Sequence, residues 1–419
     1  MRPVIRTLIV ALSILIVSAL NVRPVYAAGS LIISEFRLQG AGGIADEFIE
    51  IYNDSDSPHT VAAISGTGYA IAASDGVVRC TILTGTVIPA RGHWLCANTQ
   101  YQLNSYPSGS GTTATGDGTY TLTLEIPLNA GIALFNNDTG GGSFSLVNRF
   151  DAVGSTAEAN VIYREGAGYP PRDETMPPQN PNYSYIRDEC GKSGAVNLPG
   201  PCAISTPKDT DSNANDFYLV EAVGTFAVFV ERLGAPGPQN LTSPMQRNAT
   251  VSANLLDATL SSSSVPNRVR DGIVDAPGGS TFGNLYLRRR FVNNTGAPLT
   301  RLRFRIIDVS TFPAAPGFAD LRARTSVAEV IAGIDDAATC AAASQSAPDC
   351  VVTVEGTILE QAGPPSNQPF GGGFNSSFGA GTVTLGTPLA AGASINLQFR
   401  LGVAQTGSFR IWLNIEALL

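Results

Sequence analysis

The stretch Leu31-Ile32-Ile33-Ser34-Glu35-Phe36-Arg37-Leu38, followed after a glycine-rich turn by Glu47-Phe48-Ile49-Glu50-Ile51-Tyr52-Asn53, decides the fold class. Both runs are short and β-rich with a period of two, and Phe36 and Phe48 sit where an inward face needs bulky apolar groups. Turn residues end each run, at 40–43 and 53–58. Comparable runs recur at 68–73, 77–83, 93–97, 119–124, 131–135, 143–150, 216–220 and 225–231, and later at 284–292, 300–309, 351–358, 381–385, 393–403 and 407–417. Short strands at this spacing, with glycine and proline between them, predict an all-β protein of antiparallel sandwiches. Only 327–338 fits a helix and a strand equally well.

Composition agrees. A chain that is 43% hydrophobic and 14% charged is not a polar, disordered one. Its 44 glycines and 27 prolines interrupt long helices, yet lack the three-residue period of collagen. The length of 419 residues predicts two folded units. Arg2 and Arg6 precede an apolar run at 8–20, and Ala27-Ala28 follow Pro24-Val25-Tyr26, so residues 1–27 read as a signal peptide cleaved after Ala27. The run is shorter than the roughly 20 residues of a transmembrane helix, so no membrane span is expected. The expected location is secreted, in the medium or the cell envelope. The segment Gly234-Ala235-Pro236-Gly237-Pro238-Gln239-Asn240 divides the rest into sandwiches at 30–238 and 241–419. Residues 29–240 carry net charge −12 and residues 241–419 net +1.

Six cysteines fall as local pairs: Cys80 with Cys96, Cys190 with Cys202, and Cys340 with Cys350. In an exported chain without a CxxC motif, this pattern predicts disulfides between nearest neighbours rather than thiolate metal sites.

The first half resembles a family. Ile33-Ser34-Glu35-Phe36, Asp46 through Asn53, Ile88-Pro89-Ala90-Arg91-Gly92-His93-Trp94-Leu95, Gly131 through Asn136 with Asp151-Ala152-Val153-Gly154, and Thr206 through Phe217 are similar, in order, to blocks of the lamin tail domain of exported bacterial proteins. The resemblance implies an immunoglobulin-like β-sandwich that serves as a binding or architectural module. It does not extend to the second half.

Catalytic motifs are sparse. His59 and His93 are the only histidines, and neither HExxH nor G-x-S-x-G occurs. Asp209, Asp211 and Asn213 space oxygen ligands as a calcium loop does, but Ala214 and Val220 stand where that loop needs glycine and glutamate. A turn whose side chains bond their own backbone explains the same residues. Calcium is therefore the one cofactor the sequence suggests, and none other is expected. In the second half Arg288 and Arg290 share one strand face, and Arg301, Arg303 and Arg305 alternate with Leu302, Phe304 and Ile306. If those strands pair, they form an arginine ladder: an anion-binding patch, a solvated face that pairs with Asp308, Asp320 and other acids, or a face that docks against the acidic first half. The near-neutral charge of the second half argues against nucleic acid.

The expected function is an exported non-catalytic binding or scaffolding protein, with an extracellular protein or polymer as partner. The alternative is an accessory subunit of an exported metal-dependent hydrolase or nuclease that uses acids such as Asp46, Glu47, Asp209 and Asp211. A structural component of an envelope layer is the third reading.

Overall fold

A computed structural model describes residues 31–103, 114–172, 182–189, 207–222, 232–360 and 372–419. The signal segment, the Cys190 and Cys202 pair and the strand expected at 225–231 lie outside the described residues.

The chain is all-β, built from two sandwiches. In the first, a large sheet runs in the order Arg232–Leu233, Phe217–Glu221, Tyr183–Arg187, Leu31–Arg37, Phe48–Asn53, His93–Asn98, Gly118–Tyr120. It faces a small sheet ordered Arg149–Val153, Ile132–Phe135, Gly68–Ala73, Val78–Leu83. Ile33, Ile49 and Ile51 from the large sheet meet Ile71, Ile82 and Leu134 from the small one in a single core. Full burial of each such side chain is worth about 1.5–3 kcal/mol. Phe36 anchors an aromatic group, stacked on Tyr185 at 5.1 Å and edge-on to Phe217 at 5.5 Å. The Cys80–Cys96 disulfide joins the two sheets beside Trp94. Trp94 fits because residue 118 is glycine: a Cβ there would lie 2.5 Å from the indole ring.

The second sandwich pairs an inner sheet, ordered Met245–Gln246, Ile411–Leu418, Arg301–Val309, Ser377–Gly379, Ile358–Glu360, with an outer sheet. The outer sheet runs Val251–Leu255, Asn284–Asn293, Ser394–Gln405, Cys350–Gly356, Glu329–Ile334. Arg268–Asp271 adds to Asn284–Asn293, and Asp320–Arg324 to Ser394–Gln405. Cys340–Cys350 closes a short helix, Ala337–Ala342, onto this sheet. Residues 327–338 thus hold both a strand and the start of a helix.

Four expectations change. The run expected at 119–124 is a strand only over Gly118–Tyr120 and continues as a 3₁₀ turn at Leu122–Leu124. The strands Asn284–Asn293 and Arg301–Val309 do not pair; each lies in a different sheet, and the turn between them crosses the sandwich. Residues 381–385 form a turn rather than a strand, with Val383 donating its N–H to Ala380. Residues 143–148 form no strand either, and the strand there starts at Arg149.

The segment 232–240 is not an exposed linker. All nine residues are buried. They run between the large sheet of the first sandwich and the inner sheet of the second, and Ile186, Tyr218 and Val220 of the first half join the hydrophobic core of the second. The large sheet is therefore covered on both faces, which is why every residue of Phe48–Asn53 is buried despite its alternating sequence.

Candidate functional site

The ionisable residues concentrate where the two sandwiches meet. A bulge at Ser34 shifts the register of the first strand and sets Glu35 directly opposite Glu50. Like charges so placed repel. Both carboxylates are almost fully buried, and backbone and hydroxyl donors solve the problem. Gly237 donates its N–H to Glu35 Oε1 at 2.9 Å, and Gln239 donates its N–H to Glu50 Oε2 at 2.6 Å. An extended segment presents alternate amides to one side, so residues 237 and 239 reach the two acids in step. Ser184 Oγ and Asn375 Nδ2 complete Glu35, and Ser34 Oγ completes Glu50. Burial, followed by the Glu35 charge, pushes Glu50 up to about 8. Glu35 is raised as well, chiefly by burial.

Opposite these acids stands the predicted arginine ladder. It is not a free anion-binding patch: Arg301, Arg303 and Arg305 are buried. Arg305 Nε donates to Glu416 Oε1 at 2.8 Å and its Nη1 to Asn375 Oδ1 at 2.6 Å. Arg303 meets Glu416 Oε2 at 2.6 Å, and Arg301 meets Glu360 at 2.8 Å. Burial alone would raise Glu416, yet Arg303 and Arg305 hold it below its ordinary value. On the other sheet Arg288 is likewise buried and pairs with Glu329. Arg290 is half-buried and does not extend the row. The charged face is consumed by docking because two sheets share it, and unsolvated arginines need carboxylates. Gly237 permits the close approach: a Cβ there would fall 2.2 Å from Arg305 Nη1.

His93 lies in the same layer, its Nε2 3.8 Å from Glu50 and its ring 4.9 Å from Tyr52. Burial drives its pKa down to about 3, so it stays neutral. Between these groups is a cavity of about 70 Å³, room for little more than water.

The proposed calcium ligands do not converge. Asn213 is fully buried, and its side chain pins two other segments, accepting from Gly154 N and Glu165 N at 2.9 Å each and donating to Ala152 O at 2.7 Å. Asp216 takes the N–H of Thr210 at 2.9 Å and that of Ser212 at 3.3 Å. Asp211 sits in the left-handed region, with φ 55°. This is a self-bonded turn, as its composition allows.

Asp209 instead approaches Asp151 and Glu165, with one oxygen from each within 4.8 Å of the others. Arg187 already lies among them, its Nη2 2.5 Å from Asp151 and its Nη1 3.4 Å from Asp209. Arg149 binds Glu165 at 2.9 Å. Burial, and then Asp151, pushes Glu165 up to about 9, which leaves it protonated at neutral pH. Two arginines and that proton supply the positive charge of the cluster.

Asp46 and Glu47 belong elsewhere. Asp46 pairs with Arg37 at 2.5 Å and caps Gly42 and Gln102. Glu47 accepts from Ile126 N, Tyr120 Oη and Asn98 Nδ2, and burial raises it to about 7. Neither joins Asp209 in a metal-holding group among the described residues. Glu35, Asp46 and Glu47 stand out in the sequence as carboxylates beside strand ends, expected to be solvated or else to collect a cation; all three are buried instead, because neighbouring loops and the second sandwich cover them. Sequence reasoning missed Glu50, Asp151, Glu165 and Arg187. The outward position of Glu50 beside Ile49 and Ile51 was the one available signal, since it put a carboxylate on a face that a second layer could cover.

Comparison with protein-family models, curated proteins and solved structures finds no match to this chain.

Proposed function

We propose that the chain is an exported, non-catalytic binding or scaffolding protein of the cell surface or the medium, its first half a lamin-tail-like, immunoglobulin-like sandwich. One observation carries the reading: among the described residues, the buried groups that could serve as bases or metal ligands are spent on holding the molecule together. His93 is buried and neutral, Glu35 and Glu50 receive the connecting segment, and Asp46 and Glu47 close loops. Such a body presents loops at its ends to an extracellular protein or polymer. The accessory hydrolase or nuclease reading would need Asp46 and Glu47 beside Asp209 and Asp211, a juxtaposition the fold does not make.

Turnover separates the two. The intact chain, incubated with DNA, phosphomonoesters or peptides in the presence of calcium or magnesium, is expected to leave all of them unchanged. Calcium is expected to leave the melting temperature where it was. Metal-dependent hydrolysis of any of these substrates would overturn the proposal.

A further inference from the structure

The second sandwich is not sealed along its whole length. At one end Phe291, Phe304 and Phe399 lock the two sheets, with ring centroids 4.5 Å and 5.1 Å apart across Phe304. Away from this lock the sheets part around a cavity of about 460 Å³. Its walls are the inner faces of both sheets, yet Leu287, Phe409, Ile411 and Leu413 remain only partly buried there among the described residues. Small-molecule sites span roughly 300–1,000 Å³ and combine apolar walls with a few fixed polar groups. This cavity sits in that range.

Its polar groups are mostly cationic. Arg289 alternates with Leu287 and Phe291 along one strand, which puts it on the inner face, an unusual place for a charge. Arg289 Nη1 donates to the backbone carbonyls of Asn267 and Arg288, at 3.3 and 2.7 Å. Arg268 stands over the Phe409 ring at 5.9 Å. Neither has a carboxylate within ion-pair distance among the described residues, whereas Arg410, a third lining residue, is held by Asp308 at 2.5 Å. A guanidinium kept beside an apolar wall without an anion is costly unless a ligand brings one.

We propose that this cleft binds a single-chain anionic amphiphile, a long-chain carboxylate whose tail lies between the sheets and whose head group meets Arg268 and Arg289. Ser262 is the only hydroxyl-bearing residue in the lining and no carboxylate or amide side chain joins it, so the site lacks the acceptors that a sugar's hydroxyls would need. The inference goes beyond the protein or polymer partner proposed above and adds a small-molecule ligand held between the sheets. Because turnover and ligand binding are separate measurements, each can fail alone.

Isothermal titration of the intact chain with octanoate, decanoate and dodecanoate tests it, with decyltrimethylammonium as the charge-reversed probe. The expected result is affinity that rises about fourfold with each added methylene, the increment for burying one CH₂, and at least tenfold weaker binding of the cationic probe than of decanoate. The double variant Arg268→Gln, Arg289→Gln is expected to weaken dodecanoate at least tenfold with its melting temperature close to that of the unaltered chain. A variant that fails to fold leaves the comparison of probes on the unaltered chain as the deciding result. No binding of dodecanoate at millimolar concentration, or equal binding of decanoate and the cationic probe, would overturn the proposal.

Discussion

Arg305→Ala is expected to lower the unfolding free energy by about 3–5 kcal/mol, the cost of removing one partner from a buried ionic group. Arg305 is buried and makes direct bonds to Glu416 and Asn375, and its charge lowers both Glu35 and Glu50. Without it Glu35 and Glu50 lose the cation that offsets their burial, and Glu416 is left with Arg303. An exposed arginine in an ion pair would contribute at most about 1 kcal/mol. Urea denaturation of the intact chain makes the measurement, and a loss below 1 kcal/mol would place Arg305 in a solvated setting. A second substitution sharpens it: adding Glu416→Gln to Arg305→Ala should cost less than the sum of the two single changes, because the groups act as one network.

Glu50→Gln is expected to gain stability relative to the unaltered chain as pH rises from about 5 to 8. The folded state raises the Glu50 carboxyl from 4.5 to about 8, so it favours the protonated acid. Its contribution is fully present below pH 4.5 and is lost as pH climbs through 8. The change is on the order of a few kcal/mol. Other groups in the layer titrate too. Glu35 moves in the same direction; His93, lowered to about 3, contributes above 6.5 and loses that contribution as pH falls. Glu416, also lowered, acts in the acid range like His93. Comparing the variant with the parent at each pH subtracts most of these effects. Melting temperatures whose difference stays constant from pH 5 to 8 would show that Glu50 is ionised throughout.

The sequence made the strands legible because alternation is a local property. Gly68–Ala73 coincides with its expected run residue for residue, and Asn284–Asn293, Arg301–Val309 and Ser394–Gln405 come within two residues of theirs. The face assignment along Arg301–Val309 was legible as well, with Leu302, Phe304 and Ile306 inward and the arginines on the other side. Which sheet a strand joins was not. Asn284–Asn293 and Arg301–Val309 follow one another through a short turn, and nothing local distinguishes a hairpin from a crossing between layers.

The buried charges were hidden for a related reason. A carboxylate on a strand looks solvated until something covers it, and the cover here comes from a glycine- and proline-rich segment that composition marks as a linker. The same glycine that suggests flexibility, Gly237, is needed because Arg305 leaves no room for a Cβ. Asn213 misled in the opposite way. Its spacing from Asp209 fits a calcium loop, but an asparagine can equally bind three backbone groups of distant segments, and here it does. The charge contrast between the halves was the most useful global clue: the acidic first half does meet arginines of the second, across one buried layer.

Backbone hydrogen exchange at Gly237 and Gln239 reads out whether the layer between the two sandwiches is buried. Both amides lie in the sequence of a linker, yet each donates to a buried carboxylate of the first sandwich. They are expected to exchange as slowly as amides in the core strand Phe48–Asn53, opening only when the molecule unfolds broadly. Exchange at the rate of a free, solvated linker would contradict that expectation, and would leave two sandwiches joined by a tether rather than by a buried layer.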